Sequence, residues 1–376
     1  MLPTGVSSWP IMRIVIKLGT STLTSGTTRL APPLVIDLAR QMARLQADGH
    51  QLVLVSSGAI AAGREKLNFP QLPKDMPAKQ MLAAIGQPRL MAFYEQIFGL
   101  YGLTVAQILL TKSDLSHRRR YLNARQTLAA LLAQKVIPII NENDTVATEE
   151  IRVGDNDNLS ALAANLIDAD TLILLTDQDG LFTADPRTNP GAELVQTVSG
   201  DAIPETVWQA AGGTKSGLGT GGMLTKLQAA DLARRSGTAC IIANGQAVDV
   251  LLRLANGERL GTRFEPVKDA VEARKRFILS ARRAPGLLTV DPGAAQALRR
   301  GGSLLAVGVS AVSGAFRRSD VVRVADAEGR ELARGISNYD SRDLARILRK
   351  RSDEIESILG YNYGDEVIHR NDLVLL

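Results

Sequence analysis

Six short runs of apolar, largely β-branched residues recur along the chain, at residues 11–18, 52–55, 105–110, 136–140, 171–175 and 238–243. They are close to continuously apolar rather than alternating, which predicts strands buried on both faces. Segments with helical spacing lie among them, at 32–49, 59–66, 78–101, 123–134, 159–167 and 223–235. The first shows the pattern: Leu34, Leu38, Met42 and Leu45 share one face, Pro32 opens the segment and Gly49 closes it. Strands that alternate with helices predict an α/β fold, a mostly parallel sheet sandwiched by helices.

The pattern changes near Gly261. Residues 262–275 are charged and lack long apolar runs, as a linker would. Short strands with turn signals follow at 286–290, 303–307, 320–324 and 331–335, punctuated by glycines, with a short helix at 341–350. This predicts a small, mostly antiparallel, β-barrel-like domain. The expected division is a first domain at 11–262, a linker at 263–277 and a second domain at 278–376.

In a parallel sheet covered on both faces, ligands bind beyond the carboxyl ends of the strands. Those ends carry Lys17 and Gly19, Ser57 and Gly58, Asn141 and Asp144, and Thr176 and Asp177. The stretch from Asn141 to Ser160 is the densest, with carboxylates at Glu142, Asp144, Glu149, Glu150, Asp155 and Asp157 and amides at Asn141, Asn143, Asn156 and Asn158. Turn and cap chemistry accounts for such residues in part. Carboxylates and amides can also hold an ammonium, while the Ser57 hydroxyl and nearby backbone N–H groups can hold a carboxylate. Together they suit a zwitterionic amino acid. Glu149 and Glu150 are expected to face water.

Two lysines add an anion-binding theme. Lys17 stands beside the Gly19 turn at a strand end. Lys226 lies one turn into a helix opened by the glycine-rich loop Ser216-Gly217-Leu218-Gly219-Thr220-Gly221-Gly222-Met223-Leu224-Thr225. Free N–H groups and the positive end of a helix dipole favour a phosphate there. The loop is neither a dinucleotide fingerprint, since no strand precedes it, nor a Walker A loop, since Thr225 intervenes before Lys226.

Composition narrows the function classes. Of 376 residues, 45% are hydrophobic and 22% charged, ordinary for a globular protein. A single cysteine, Cys240, excludes a disulfide framework within the chain; its apolar neighbours mark it as a structural thiol. The three histidines are far apart, so no zinc site is expected. Asp155 and Asp157 resemble the start of a calcium loop whose other ligands are missing; Mg2+ carried on nucleotide phosphates suits the residues better. No apolar run is long enough for a membrane span, and no signal peptide is evident, which points to the cytoplasm. From Arg274 onward there are 18 Lys and Arg against 13 Asp and Glu, and before it 26 against 26, so the net charge of +5 belongs to the tail.

The segments VIKLGTS (15–21), VSSGAIAAGRE (55–65), INENDTVATEEIRVGDNDNLSALAA (140–164), LLTDQDGLFTADPR (174–187) and SGLGTGGMLTKLQAA (216–230) resemble, in order and spacing, those of the amino acid kinase family. The likeness is greatest to the members that act on glutamate in the first step of proline biosynthesis. The tail, with GRELARG (329–335), resembles a PUA domain. This resemblance implies ATP-dependent phosphorylation of the side-chain carboxylate of L-glutamate, with ATP and Mg2+. It implies a catalytic group of Lys17, Lys226, Asp157 and Gly19, with Asp157 orienting the lysines. Glutamate would meet Ser57, Gly58, Asn141, Asp144, Asp155 and Asn156. The nucleotide would meet Lys17, Thr176, Asp177, Thr220, Gly221, Gly222, Met223, Leu224, Thr225 and Lys226. Inhibition by proline at an overlapping site and a homodimer or tetramer are common in the family.

Two other readings stand beside this one. The basic tail, with Arg282-Arg283, Arg299-Arg300 and Arg317-Arg318, would suit RNA, although its acidic residues offset most of the charge. A kinase for another acid, such as aspartate, carbamate or N-acetylglutamate, would use similar motifs. A pocket for a free ammonium disfavours the N-acetylated acid. Arg118-Arg119-Arg120 reads as a solvated helix start.

Overall fold

The computed structural model describes residues 10–73, 75–147, 156–186, 188–212, 222–267, 285–318 and 320–376. The chain forms two compact units, Met1–His117 with Thr127–Ala270, and Arg118–Gln126 with Val271–Leu376.

The strands of the first unit are β1 (Arg13–Leu18), β2 (Gln51–Ser56), β3 (Val105–Leu110), β4 (Ile137–Glu142), β5 (Thr171–Thr176), β6 (Thr197–Val198), β7 (Ala239–Asn244) and β8 (Thr262–Phe264). They form one sheet in the order β3-β4-β2-β1-β5-β7-β8-β6. Every pairing is parallel except β7 with β8. The helices are α1 (Thr20–Leu23), α2 (Pro32–Ala47), α3 (Ala59–Lys66), α4 (Met76–Gly99), α5 (Lys112–Ser116), α6 (Arg118–Ala133, of which Arg118–Gln126 belongs to the second unit), α7 (Asn156–Leu166), α8 (Glu205–Ala210), α9 (Met223–Arg235) and α10 (Val250–Ala255). β4 and β5 are buried along their whole length, as their apolar runs require. The core joins Ile14, Ile16 and Leu18 of β1 to Leu38 and Met42 of α2 and to Leu90, Tyr94 and Phe98 of α4.

Four adjacent parallel strands, β4, β2, β1 and β5, form the centre of the sheet. Their carboxyl ends therefore open side by side, and the polar residues of the sequence motifs are delivered to one edge. α3 and α4 cross closely beside it. An added Cβ on Gly86 would lie 1.8 Å from the Ala59 carbonyl oxygen, and one on Gly63 would lie 2.0 Å from that of Leu82. Only glycine permits that approach.

Three details depart from the sequence pattern. β4 continues past the apolar run through Asn141 and Glu142, which pair with Leu109 and Leu110 of β3. The backbone ladder needs no apolar side chain, and the Asn141 side chain finds its own buried partners. Thr262–Phe264, read as the start of a linker, is a strand antiparallel to β7; Thr262 and Phe264 are buried on either side of exposed Arg263. α6 begins at Arg118, five residues before the apolar spacing begins; Arg119 and Arg120 are exposed there.

The second unit has β9 (Gly286–Val290), β10 (Leu304–Leu305), β11 (Val309–Ser313), β12 (Val321–Ala325), β13 (Glu331–Ile336), β14 (Glu366–Ile368) and β15 (Leu373–Leu375). A five-stranded sheet runs β11-β9-β12-β13-β15, and β10 pairs with β14. All these pairings are antiparallel except β12 with β9. Leu288, Val322, Val324, Tyr339, Leu344 and Ile368 form a core of its own. The helix Pro292–Arg299 escaped the sequence reading, although Asp291 caps it, accepting from the Ala294 N–H at 2.7 Å, and Pro292 opens it.

Candidate functional site

Lys17 is the penultimate residue of β1 and is only 5% exposed. Its ammonium meets the Asp157 carboxylate in a buried ion pair. Gly19 leaves room for that ammonium, since a Cβ there would lie 3.2 Å from Lys17 Nζ. Asp157 stands in the first turn of α7, where a negative charge is favoured by the helix dipole. Its Oδ2 also faces Lys226 Nζ at 3.4 Å and accepts the Thr225 hydroxyl at 2.7 Å. Burial raises the Asp157 carboxyl, but the charges of Lys17 and then Lys226, with hydrogen bonds from Lys17 and Thr225, outweigh it and hold the pKa below the ordinary value. One carboxylate thus stands between two ammonium groups, and Lys226 Nζ also donates to the Gly222 carbonyl at 3.4 Å.

The neighbouring wall is an amide network. Asn156, the first residue of α7, donates through Nδ2 to the Ser56 carbonyl at 3.1 Å, Ser57 Oγ at 3.0 Å and Asn141 Oδ1 at 2.9 Å. Asn141 Nδ2 donates to Gln87 Oε1 at 2.9 Å, and the Glu142 backbone N–H donates to Asn141 Oδ1 at 2.9 Å. Below them Tyr94 OH lies 2.5 Å from Ser56 Oγ. The Ser56 hydroxyl donates to the Ser57 carbonyl at 2.8 Å, so Tyr94 is the donor in its contact with Ser56. Burial pushes the Tyr94 phenol up, which keeps that proton in place. Gly58 holds φ at +111° as the residue before α3, with Leu23 packed where a Cβ would go. Asp144 lies half-buried in the turn after β4.

A cavity of about 490 Å³ opens beside Lys226. Thr176, Asp177, Leu181, Phe182 and Met223 line it with Lys226. Its lining sets the apolar Leu181, Phe182 and Met223 beside the Lys226 ammonium and the Asp177 and Asp185 carboxylates. Thr176 donates to Asp177 Oδ1 at 3.1 Å at the mouth. Among the described residues no cluster of three His, Cys, Asp or Glu could hold a metal ion.

The residues singled out in the sequence are therefore brought together in part. Lys17, Gly19, Asp157 and Lys226 form one group, and Ser57, Asn141 and Asn156 a second. Thr176, Asp177, Gly222 and Met223 line the cavity. Asp155, Thr220 and Gly221, with Glu149 and Glu150, lie outside the described residues. Two groups are already engaged within the protein. Thr225 is 1% exposed, and its hydroxyl donates to Asp157 Oδ2. The Ser57 backbone N–H is spent on the Leu18 carbonyl at 3.1 Å, so only its hydroxyl remains for a ligand. Gln87 and Tyr94 were missed, because a glutamine and a tyrosine inside a long apolar helix carry no local signal. In the second unit the Arg317-Arg318 pair is split. Arg317 is exposed, whereas half-buried Arg318 stacks its guanidinium 3.9 Å from the Tyr363 ring centroid and donates to Gln126 Oε1 at 2.6 Å.

The chain belongs to the amino acid kinase family, whose pattern matches residues 12–244, and residues 286–359 match the PUA domain. It is similar to the glutamate 5-kinase of Photobacterium profundum, 56% identical over 368 residues that cover 98% of this chain and 97% of that one. The glutamate 5-kinase of Vibrio campbellii is 55% identical over 364 residues, 96% of each chain. Among solved structures it is similar to an isopentenyl phosphate kinase at 16% identity, covering 67% of this chain and 99% of that one with a TM-score of 0.48.

Proposed function

We propose that this kinase transfers the γ-phosphoryl group of ATP to the side-chain carboxylate of L-glutamate, giving glutamyl 5-phosphate and ADP, the entry step of proline biosynthesis. The observation that carries this reading is the buried Lys17–Asp157–Lys226 group beside an amide-lined wall and a nucleotide-sized cavity. The identity to two glutamate 5-kinases supports the choice of acid.

The chemistry asks little of the protein beyond placement. A carboxylate is already ionised at neutral pH, so no general base is needed. One carboxylate oxygen forms a bond to the γ-phosphorus as the bond from phosphorus to the β–γ bridging oxygen breaks, and ADP departs with that electron pair. Charge builds on the phosphoryl oxygens in transit. Lys17 and Lys226 meet it, joined by the Gly19 N–H, and Asp157 keeps the two ammonium groups apart and aimed. Their charge is in place before the reaction, so no reorganisation is required during it. Mg2+ would ride on the nucleotide phosphates and offset their charge. Glutamate would place its ammonium against Asp144, Asp155 and the amides of Asn141 and Asn156, and its carboxylate near Ser57 and Gly58. The nucleotide would lie along Thr176, Asp177 and residues 220–226, with Thr225 acting through Asp157. Proline, a zwitterion of the same backbone charge, would compete at the ammonium end. A cytoplasmic homo-oligomer, a dimer or a tetramer, and a division into a first domain from 11 that runs through β8 and a second at 278–376 complete the reading. RNA binding as the main function is disfavoured by the engagement of Arg318 and by the tail's 13 acidic residues.

The test is hydroxylamine trapping of the acyl phosphate with ATP, Mg2+ and a panel of acids. Hydroxamate is expected from glutamate and not from aspartate or N-acetylglutamate. Product from another acid in place of glutamate would overturn the assignment.

A further inference from the structure

Gln87 is a buried polar residue on α4, a helix that carries none of the residues assigned to substrate or nucleotide. Its side chain is nevertheless continuous with the site. Gln87 Nε2 donates to Gln107 Oε1 of β3 at 2.9 Å, and Gln87 Oε1 accepts from Asn141 Nδ2 at 2.9 Å. Asn141 Oδ1 in turn accepts from Asn156 Nδ2 at 2.9 Å. Four side-chain amides are thus joined by three hydrogen bonds in one direction, from Asn156 through Asn141 and Gln87 to Gln107.

The direction is set by backbone atoms, whose roles are not interchangeable. The Glu142 N–H can only donate, so the Asn141 atom 2.9 Å from it is the oxygen. The Ser56 carbonyl can only accept, so the Asn156 atom 3.1 Å from it is the nitrogen. Asn141 must then turn its NH2 toward α4, and that buried donor needs an acceptor. Gln87 Oε1 is the acceptor. With Asn156 Nδ2 engaged by Ser56, Ser57 and Asn141, Asn156 Oδ1 has no partner among the described residues and is left for a donor from a ligand.

We propose that Gln87 is a positioning residue for the substrate ammonium: by accepting from Asn141 it holds the Asn141 and Asn156 amides in the orientation that leaves Asn156 Oδ1 free to accept from glutamate. This rests on glutamate binding at Asn141 and Asn156. Loss of the acceptor leaves Asn141 Nδ2 buried and unpaired, and the amide escapes that cost by turning away from Asn156.

The test compares Gln87→Met, similar in length but with no oxygen acceptor, with Gln87→Glu, which keeps an acceptor toward Asn141. Gln107 is exposed and can turn its own amide to donate to the new carboxylate. Gln87→Met is expected to raise the glutamate KM about tenfold, with kcat and the ATP KM within about twofold of the parent. Gln87→Glu is expected to keep the glutamate KM within about threefold. Should Gln87→Met fail to fold, Gln87→Ser, too short to reach Asn141, takes its place. An unchanged glutamate KM in the Met or Ser enzyme overturns the proposal. So does equal impairment of the Glu enzyme, which would make the effect one of packing. These outcomes are distinct from failure of the substrate assignment, in which the parent enzyme forms no hydroxamate from glutamate.

Discussion

Asp157 concentrates the electrostatics of the site in one carboxyl group. It is 2% exposed, yet its folded pKa lies below the ordinary carboxylate value because two lysines face it. The sign of its pH dependence follows. The unfolded chain binds this proton more readily than the folded one, so the stabilisation is complete above the unfolded pKa. It is lost as pH falls through the depressed folded value. Asp157→Asn should therefore flatten the acid limb of a plot of stability against pH, measured by denaturant melts. It also removes the charge that separates Lys17 from Lys226. Turnover should fall by about 100-fold or more, with the glutamate KM changed by less than about threefold in steady-state assays. Comparable losses in kcat and KM would show that Asp157 contacts the substrate directly.

At the scale of elements, the crossing of α3 and α4 carries the amide wall. α4 supplies Gln87 and Tyr94 from one face, and α3 starts just after Gly58, beside the β2 end. The crossing is closed by glycines, so Gly86→Ala, whose methyl would meet the Ala59 carbonyl oxygen at 1.8 Å, should cost about 2–4 kcal/mol in a denaturant titration. A loss below about 0.5 kcal/mol would show that the helices separate freely. Element type was largely legible in the sequence. The apolar runs of β1, β2, β5 and β7 mark buried strands, and Met223–Arg235 shows its helix clearly. Element ends were less so. Asn141 and Glu142 belong to β4 although both are polar, because strand length is set by the partner strand β3. Thr262–Phe264 reads as linker until β7 provides its ladder.

For the whole molecule, every described residue of the candidate site comes from the first unit, while the second has its own core. Leu344→Ala in that second core should destabilise it by about 2–4 kcal/mol, read by thermal or chemical melting. The glutamate and ATP KM values should stay within about twofold well below the transition, since no described residue of the candidate site belongs to that core. A shift in either KM at that temperature would tie the second unit to substrate binding. The sequence by itself determined the alternation of strands and helices and the polar residues at each strand end, because apolar runs, glycines and prolines act over a few neighbours. It also carried the motifs of a kinase. Those motifs also implied that Asp157, among six nearby carboxylates, orients Lys17 and Lys226; only the tertiary structure decided that Thr225 serves Asp157 and that Gln87 reaches Asn141. Those meetings depend on β1 lying between β2 and β5 and on α4 packing beside α3. Such an order is set by long-range pairing, on which local hydrophobic periodicity has no bearing.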